Sequence, residues 1–317
     1  MGSTGHWPVP LGDPPGGTET GVHPAPDTPT AWNALAVPLG GSPVLPCSAA
    51  PPRCWRAALG FLMLLPLWLT CGLHAQVPLP NAHAHNDYEH TRPLFDALDH
   101  GFCSVEADIH LVNGKLLVAH DPDKVDPKRT LEALYLEPLR QRIEKFHGTV
   151  YPGGPDFYLL IDVKTEAEPT YSVLRNVLKG YSQMLTEFGA GQTRRRAVTA
   201  VISGNRPFAT MSNEVTRLAG IDGRLPDLKT NPSPSLFPWV SDNWTKYFQW
   251  RGEGPLPENE KSKLKDWVTQ AHKQGRKIRF WGLPDTADVW RELRDAKVDF
   301  INTDDLEGLQ RFLTKAR

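Results

Sequence analysis

From Val77 onward, short apolar runs alternate with amphipathic stretches. The first strand is expected over residues 79–85, followed by a helix over 89–100 that Gly101 stops. A second strand over 103–112 meets Asn113-Gly114, a two-residue hairpin signal, and returns through 115–120. Residues 157–163, FYLLIDV, form a continuous apolar run of the kind buried on both faces of a sheet. A helix is expected over 170–188, and further strands over 197–203, 218–222 and 236–241. A polar helix over 257–275 leads to a strand over 277–281. A helix over 286–298 leads to the last strand over 299–303, and a helix over 306–316 closes the chain.

Strand and helix alternate throughout, which predicts a parallel sheet. Eight such units in about 240 residues match a (β/α)8 TIM barrel. An open doubly wound sheet is the alternative, but no Gly-rich phosphate loop follows the first strand.

The N-terminal part has a different composition. Residues 1–52 contain no Lys or Arg and show no hydrophobic period, so disorder is expected there. Arg53 and Arg56 then precede an uncharged run over 57–73, and small Ala75 follows. This is the order of a secretory signal over 53–75, implying a secreted or periplasmic protein. An uncleaved membrane anchor is the alternative. Because the signal-like segment comes so late, the expected true start lies near residues 44–52, with the preceding residues a gene-model extension. The folded domain then spans 77–317. Of Cys47, Cys54, Cys71 and Cys103, only Cys103 would remain, as a buried inert thiol. The net charge of −1 and the lack of a long basic run argue against nucleic acid as a partner.

In a barrel of this kind, chemistry gathers at the C-terminal ends of the strands. The first strand ends in His83, His85 and Asn86. The second carries Glu106, Asp108 and His110, the hairpin return ends at His120 and Asp121, and the third strand ends with Asp162 and Lys164. Period two sets Glu106 and Asp108 on one face and apolar Val105, Ala107 and Ile109 on the other. Inward carboxylates repel each other and lose hydration. With Asp162 from the neighbouring strand, they offer the oxygen donors that one hard divalent cation, Mg²⁺ or Ca²⁺, requires. Lys164 is the only evident local cation, and one lysine against three acids leaves surplus negative charge.

His85 and His120 end adjacent segments at the same rim, which suits an acid/base pair beside a metal. A strict two-residue hairpin, however, pairs Val112 with Lys115 and hence Ala107 with His120. That turns His120 away from the carboxylates unless the hairpin bulges or leaves the wall near Ala119. His83 and His85 also suit an amidohydrolase-type metal site, but the later strands lack the further histidines it needs. His90, His100 and His110 read as surface or helix-end residues. Trp281 is expected to form an apolar wall of the cleft, able to hold a choline-like head group by cation–π attraction. Trp239 and Trp244 flank the sixth strand, and core packing is preferred for Trp239.

Taken together, AHNDYEH, EADIH, VAHD and LLIDVKT resemble the glycerophosphodiester phosphodiesterase and phosphatidylinositol-phospholipase-C-like superfamily. The resemblance covers nearly all of 77–317. ISGNRP, VSDNW and INTDD are similar to a branch of bacterial proteins and fungal altered-inheritance-of-mitochondria homologues. There are departures. His85 is followed by Asn86-Asp87 where typical glycerophosphodiesterases have Arg-Gly, and Asp162 stands where they usually have Glu. His-Asn and Asp-x-Lys-Thr are instead similar to sphingomyelinase D toxins, whose catalytic-region disulfide this chain cannot make. The resemblance implies cleavage of a small glycerophosphodiester or phospholipid-like substrate, which could bring membrane contact through that substrate. Catalysis would fall to His85, His120 and Lys164, with Asn86 and Trp281 on the substrate and Glu106, Asp108 and Asp162 on the metal. It favours attack by a neighbouring hydroxyl, giving a cyclic phosphate first. A barrel that binds a phosphorylated lipid or sugar without turnover is the alternative.

Overall fold

The structure, a computed structural model, describes residues 76–189 and 191–315. The expectations for residues 1–75 lie outside the described residues. The chain enters through β1 (Leu79–Ala84) and β2 (Phe102–Val112), and turns back through the short β3 (Lys115–Val118). β4 (Phe157–Val163) follows. A hairpin of β5 (Glu187–Gly189) and β6 (Thr193–Arg194) then leaves the barrel, and β7 (Val198–Gly204) re-enters it. β8 (Thr216–Arg217) joins the outer hairpin in a small antiparallel sheet. β9 (Ala219–Gly223), β10 (Trp239–Asn243), β11 (Lys277–Trp281) and β12 (Phe300–Thr303) complete the wall. The parallel order is β1-β12-β11-β10-β9-β7-β4-β2, and β2 pairs back onto β1. Eight parallel strands therefore close a (β/α)8 barrel.

Alternation along β4 shows how the sequence builds two cores. Phe157, Leu159, Ile161 and Val163 join the large cluster between sheet and helices. Tyr158 and Leu160 join a second, smaller cluster with Val201, Trp239 and Phe300. These five side chains plug the barrel interior, where Trp239 stacks on Phe300 with centroids 4.3 Å apart. The helices cover the outside by the same logic. In the helix Glu258–Lys273, Leu264, Val268 and Ala271 recur at i, i+4 and i+7 and are buried. No helix among the described residues is long and apolar enough to cross a membrane.

Two expectations need correction, and one segment holds elements the sequence reading did not assign. The helix expected over 89–100 shrinks to Phe95–Asp99. Pro93 interrupts it, and Leu94 adopts φ +64 with the Phe95 N–H on Pro93 O at 2.8 Å, a tight turn that a helix cannot continue through. The helix expected to reach residue 188 instead spans Ala167–Lys179 and gives way to β5. Residues 122–145, given no element above, hold a π-helical turn (Glu132–Leu136) and a helix (Glu137–Lys145). That helix buries only Leu139, so its apolar period is faint.

Trp239 is wholly buried in the plug. Replacing it with Ala should cost roughly 3–5 kcal/mol of stability in urea unfolding. A shift within error would show that the plug is not part of the folding core.

Candidate active site

β2 places Glu106, Asp108 and His110 on the barrel's inward face, while Val105, Ala107 and Ile109 pack toward the helices. The β2–β4 register sets Asp108 beside Asp162. Carboxylate oxygens of Glu106, Asp108 and Asp162 all lie within 4.8 Å of one another. Gly204, at the end of β7 with φ +67, leaves room for them: a Cβ there would stand 2.2 Å from Asp162 Oδ1.

Each acid is held from a different side. Glu106 Oε2 lies 3.0 Å from Arg279 Nη2 and 3.3 Å from His83 Nε2. Burial alone would raise its pKa, but the Arg279 guanidinium holds the carboxyl well below the usual range. Burial and Arg279 push His83 down to about 3, so its ring is neutral. Its Nε2–H therefore donates to Glu106, while Nδ1 accepts from the Ser104 hydroxyl at 2.7 Å. Asp108 Oδ2 accepts from Tyr88 OH at 2.6 Å and from Lys164 Nζ at 2.9 Å, and its buried Oδ1 has no partner. Burial and the charge of Glu106 push Asp108 up to about 6. Lys164 also reaches Asp162 Oδ1 at 3.2 Å. Burial works against the lysine's charge, yet Asp162 and Asp108 outweigh it and raise its pKa.

Two expectations change here. Lys164 is not the only cation, because Arg279, inward on β11 between Lys277 and Trp281, neutralises Glu106. His110 is not a surface residue. It is buried, and its Nε2–H donates to the carbonyls of Ala119 (3.1 Å) and His120 (3.2 Å). β3 keeps the strict hairpin register, Val112 with Lys115 through Ile109 with Val118, and then stops. Beyond Ala119 the chain leaves the wall over the His110 ring.

His120 thereby lines the same pocket, of about 220 Å³, as His85, Asn86, the three acids, Lys164, Arg279 and Trp281. His85 donates through Nδ1 to Asp304 Oδ1 at 2.8 Å. Burial opposes its charge, but this bond prevails and raises the His85 pKa. His120 Nδ1 meets Asp121 Oδ1 at 2.8 Å. Asn86 takes a left-handed conformation with φ 47, which asparagine tolerates, and its Oδ1 lies 2.8 Å from Tyr88 OH. Trp239 lies in the plug. Trp244 is buried too, with its indole N–H on Trp250 O at 2.8 Å, so neither forms the cleft wall. Both nitrogens of His83 are taken, which leaves none for an amidohydrolase-type metal. Cys103 is buried and free, its thiol pushed up to about 12 by burial.

The model of the AIM6-like phosphodiesterase domain family matches residues 73–219, and that of the glycerophosphoryl diester phosphodiesterase family matches residues 277–307. The chain is similar to the AIM6-like phosphodiesterases. Altered inheritance of mitochondria protein 6 of Kluyveromyces lactis is 28% identical over 302 residues, covering 74% of this chain and 72% of that protein. Its homologue in Arthroderma benhamiae is 27% identical, covering 73% and 83%. A glycerophosphodiester phosphodiesterase from Parabacteroides distasonis aligns at 15% identity with a TM-score of 0.44, covering 75% of this chain and 98% of that one. An Oleispira antarctica phosphodiesterase, solved with its product sn-glycerol-3-phosphate, aligns at 14% with a TM-score of 0.45, covering 74% and 97%. The acids, Lys164 and both histidines all fall within the stretch matched by the AIM6-like phosphodiesterase model, whereas Arg279 and Asp304 fall within the second match.

His110→Ala would leave two carbonyls without their donor. It should cost about 1–3 kcal/mol in urea unfolding. An unchanged midpoint would show that the return segment keeps its course without the imidazole.

Proposed function

We propose that the chain is a metal-dependent phosphodiesterase that cleaves a glycerophosphodiester or phospholipid-like substrate by two-histidine acid/base catalysis. One observation carries this reading: two histidines, one lysine and three carboxylates converge on a single pocket at the C-terminal end of the barrel. The carboxylates fit a hard divalent ion, Mg²⁺ or Ca²⁺. All the donors are oxygens, they converge within 4.8 Å, and the buried Asp108 Oδ1 has no other partner. Glu106, Asp108 and Asp162 would hold the ion, which would supply electrostatic stabilisation of the phosphate's developing charge.

The side chains do the rest. Lys164, partly exposed, can turn from Asp108 and Asp162 to a phosphate oxygen and stabilise charge there. One of His85 and His120 takes the proton from the attacking oxygen, and the other gives a proton to the leaving oxygen. The attacker is water or a neighbouring substrate hydroxyl; in the second case a cyclic phosphate forms first. The pocket itself holds little more than the phosphate. A wider cleft of about 1040 Å³, lined by Thr165, Asn205, Arg206 and Phe208, shares Lys164 with it and offers room for an alcohol arm. Asn86 and Trp281 line the same pocket and would contact the head group. Secretion through residues 53–75 as a cleaved signal is part of this proposal and rests on sequence alone.

The first test is turnover of bis-p-nitrophenyl phosphate with added Mg²⁺ or Ca²⁺, which a chelator should abolish. His85→Ala or His120→Ala should lower kcat roughly 10²–10⁴-fold while leaving metal affinity nearly intact. Glu106→Gln or Asp108→Asn should instead weaken metal binding in calorimetry. Silence on several diesters with both metals would favour a non-catalytic binding barrel.

A second test uses pH. The Asp304 carboxylate stabilises protonated His85, so Asp304→Asn should lower the His85 pKa. The limb of the kcat/KM profile that His85 controls should then move toward acid. A profile that does not move would remove Asp304 as the partner that tunes His85.

A further inference from the structure

Two charged side chains of the pocket wall are used by no step above: Arg224, tied to Asp222 Oδ2 at 2.6 Å, and Arg279. Arg279 is only 3% exposed. Its Nη2 holds Glu106 Oε2 at 3.0 Å, and its guanidinium carbon lies 5.9 Å over the Trp239 ring of the barrel plug. Nε and Nη1 are buried with no partner. Lys164 occupies the other two acids. Every acid of the cage thus has a cation on it, but the two cations differ. The Lys164 side chain is 28% exposed and flexible, so it can swing away. Arg279 is fixed between Glu106 and the plug.

We propose that Arg279 is a resident counter-ion of the metal cage. It neutralises Glu106 while no ion is bound, keeps the barrel folded in that state, and weakens divalent binding by leaving a fixed positive charge beside the cage. The proposal rests on the reading of Glu106, Asp108 and Asp162 as metal ligands. Two physical arguments support it. A buried carboxylate stripped of its cation is strongly destabilising, so the plug's apolar surroundings require a partner for Glu106 whenever the metal is absent. That partner cannot retreat when an ion arrives, so the ion must share Glu106 with it. Glu106 Oε2 already takes both Arg279 and His83, so an ion held by Glu106 would sit beside that fixed charge. The remaining repulsion acts over a few ångströms inside a poorly screened wall, where unit charges interact strongly.

The test compares the wild-type protein with R279Q, which keeps a hydrogen-bond donor for Glu106 but removes the charge. Isothermal titration with Mg²⁺ and with Ca²⁺ should show R279Q binding on the order of tenfold tighter. Its metal-free melting temperature should fall, and saturating metal should raise it by more degrees than in wild type. R279K, which keeps the charge, should bind metal like wild type. If wild type binds and R279Q binds no tighter, or if R279K tightens by the same factor, the proposal is overturned and the cage reading survives. If neither wild type nor R279Q binds, the cage reading itself fails and takes the proposal with it. Should R279Q not fold, E106Q/R279Q removes both buried charges together and is compared with E106Q. Tighter binding by the double variant supports the proposal, and equal binding overturns it.

Discussion

Three carboxylates on two neighbouring strands point into one barrel mouth, and most of the local structure answers to that constraint. Below them lies the apolar plug of Tyr158, Leu160, Val201, Trp239 and Phe300. Water cannot solvate the acids from that side, so the wall must compensate them. It does so with Arg279 on Glu106 and Lys164 on Asp108 and Asp162. Neutral donors complete the shell: the His83 ring for Glu106 and the Tyr88 hydroxyl for Asp108. Even the backbone conforms, since Gly204 is the only residue type that leaves Asp162 its place.

The plug and the charged layer are linked through β10 and β11. The Arg279 guanidinium rests over the Trp239 ring, and His83 meets the same indole edge-on at 5.6 Å between centroids. Trp239 is therefore both core and floor. It contributes no wall to the cleft, yet it fixes the height at which the cation and the histidine meet Glu106. Trp281, two residues beyond Arg279 on β11, faces the same way one layer higher and reaches the pocket.

The parts legible in the sequence were those where period and burial agree. β4 matches its continuous apolar run between Asp156 and Lys164, and β11 matches its short run between Arg276 and Gly282. Glu106, Asp108 and Asp162 were readable for the same reason. The misses have equally local causes. The pattern over 89–100 looks helical, but Pro93 and the turn at Leu94 override it. The small outer sheet rests on strands of two or three residues, too short for any period to register. His110 and Arg279 were open to the same alternation argument that found Glu106 and Asp108. His110 continues the 106, 108, 110 series, and Arg279 lies midway between Lys277 and Trp281. A polar residue in such a series is inward unless the strand has ended, and β2 runs to Val112. Asp304 is different in kind. Its bond to His85 joins residues 219 apart in sequence, and only closure of the barrel between β1 and β12 makes them neighbours.

The two histidines are consequently held in unequal ways. His85 follows directly on β1, its backbone N–H bonds Thr303 O at 3.0 Å, and its ring is braced by Asp304 from the next strand's end. Its position is inherited from the closed wall. The His120 side chain is 57% exposed and lies past the end of β3, where its own carbonyl is tied to the His110 ring. Among the described residues, its ring hydrogen-bonds to its neighbour Asp121. The pocket therefore combines one ring preorganised by the barrel with one carried on a segment that backbone bonds and the buried His110 imidazole hold. In the proposed reaction, a rigid group beside an adjustable one would follow a proton across the phosphate while Glu106 and Arg279 stay still. The barrel supplies the fixed half of that arrangement through strand register, and the hairpin supplies the other half by ending where it does.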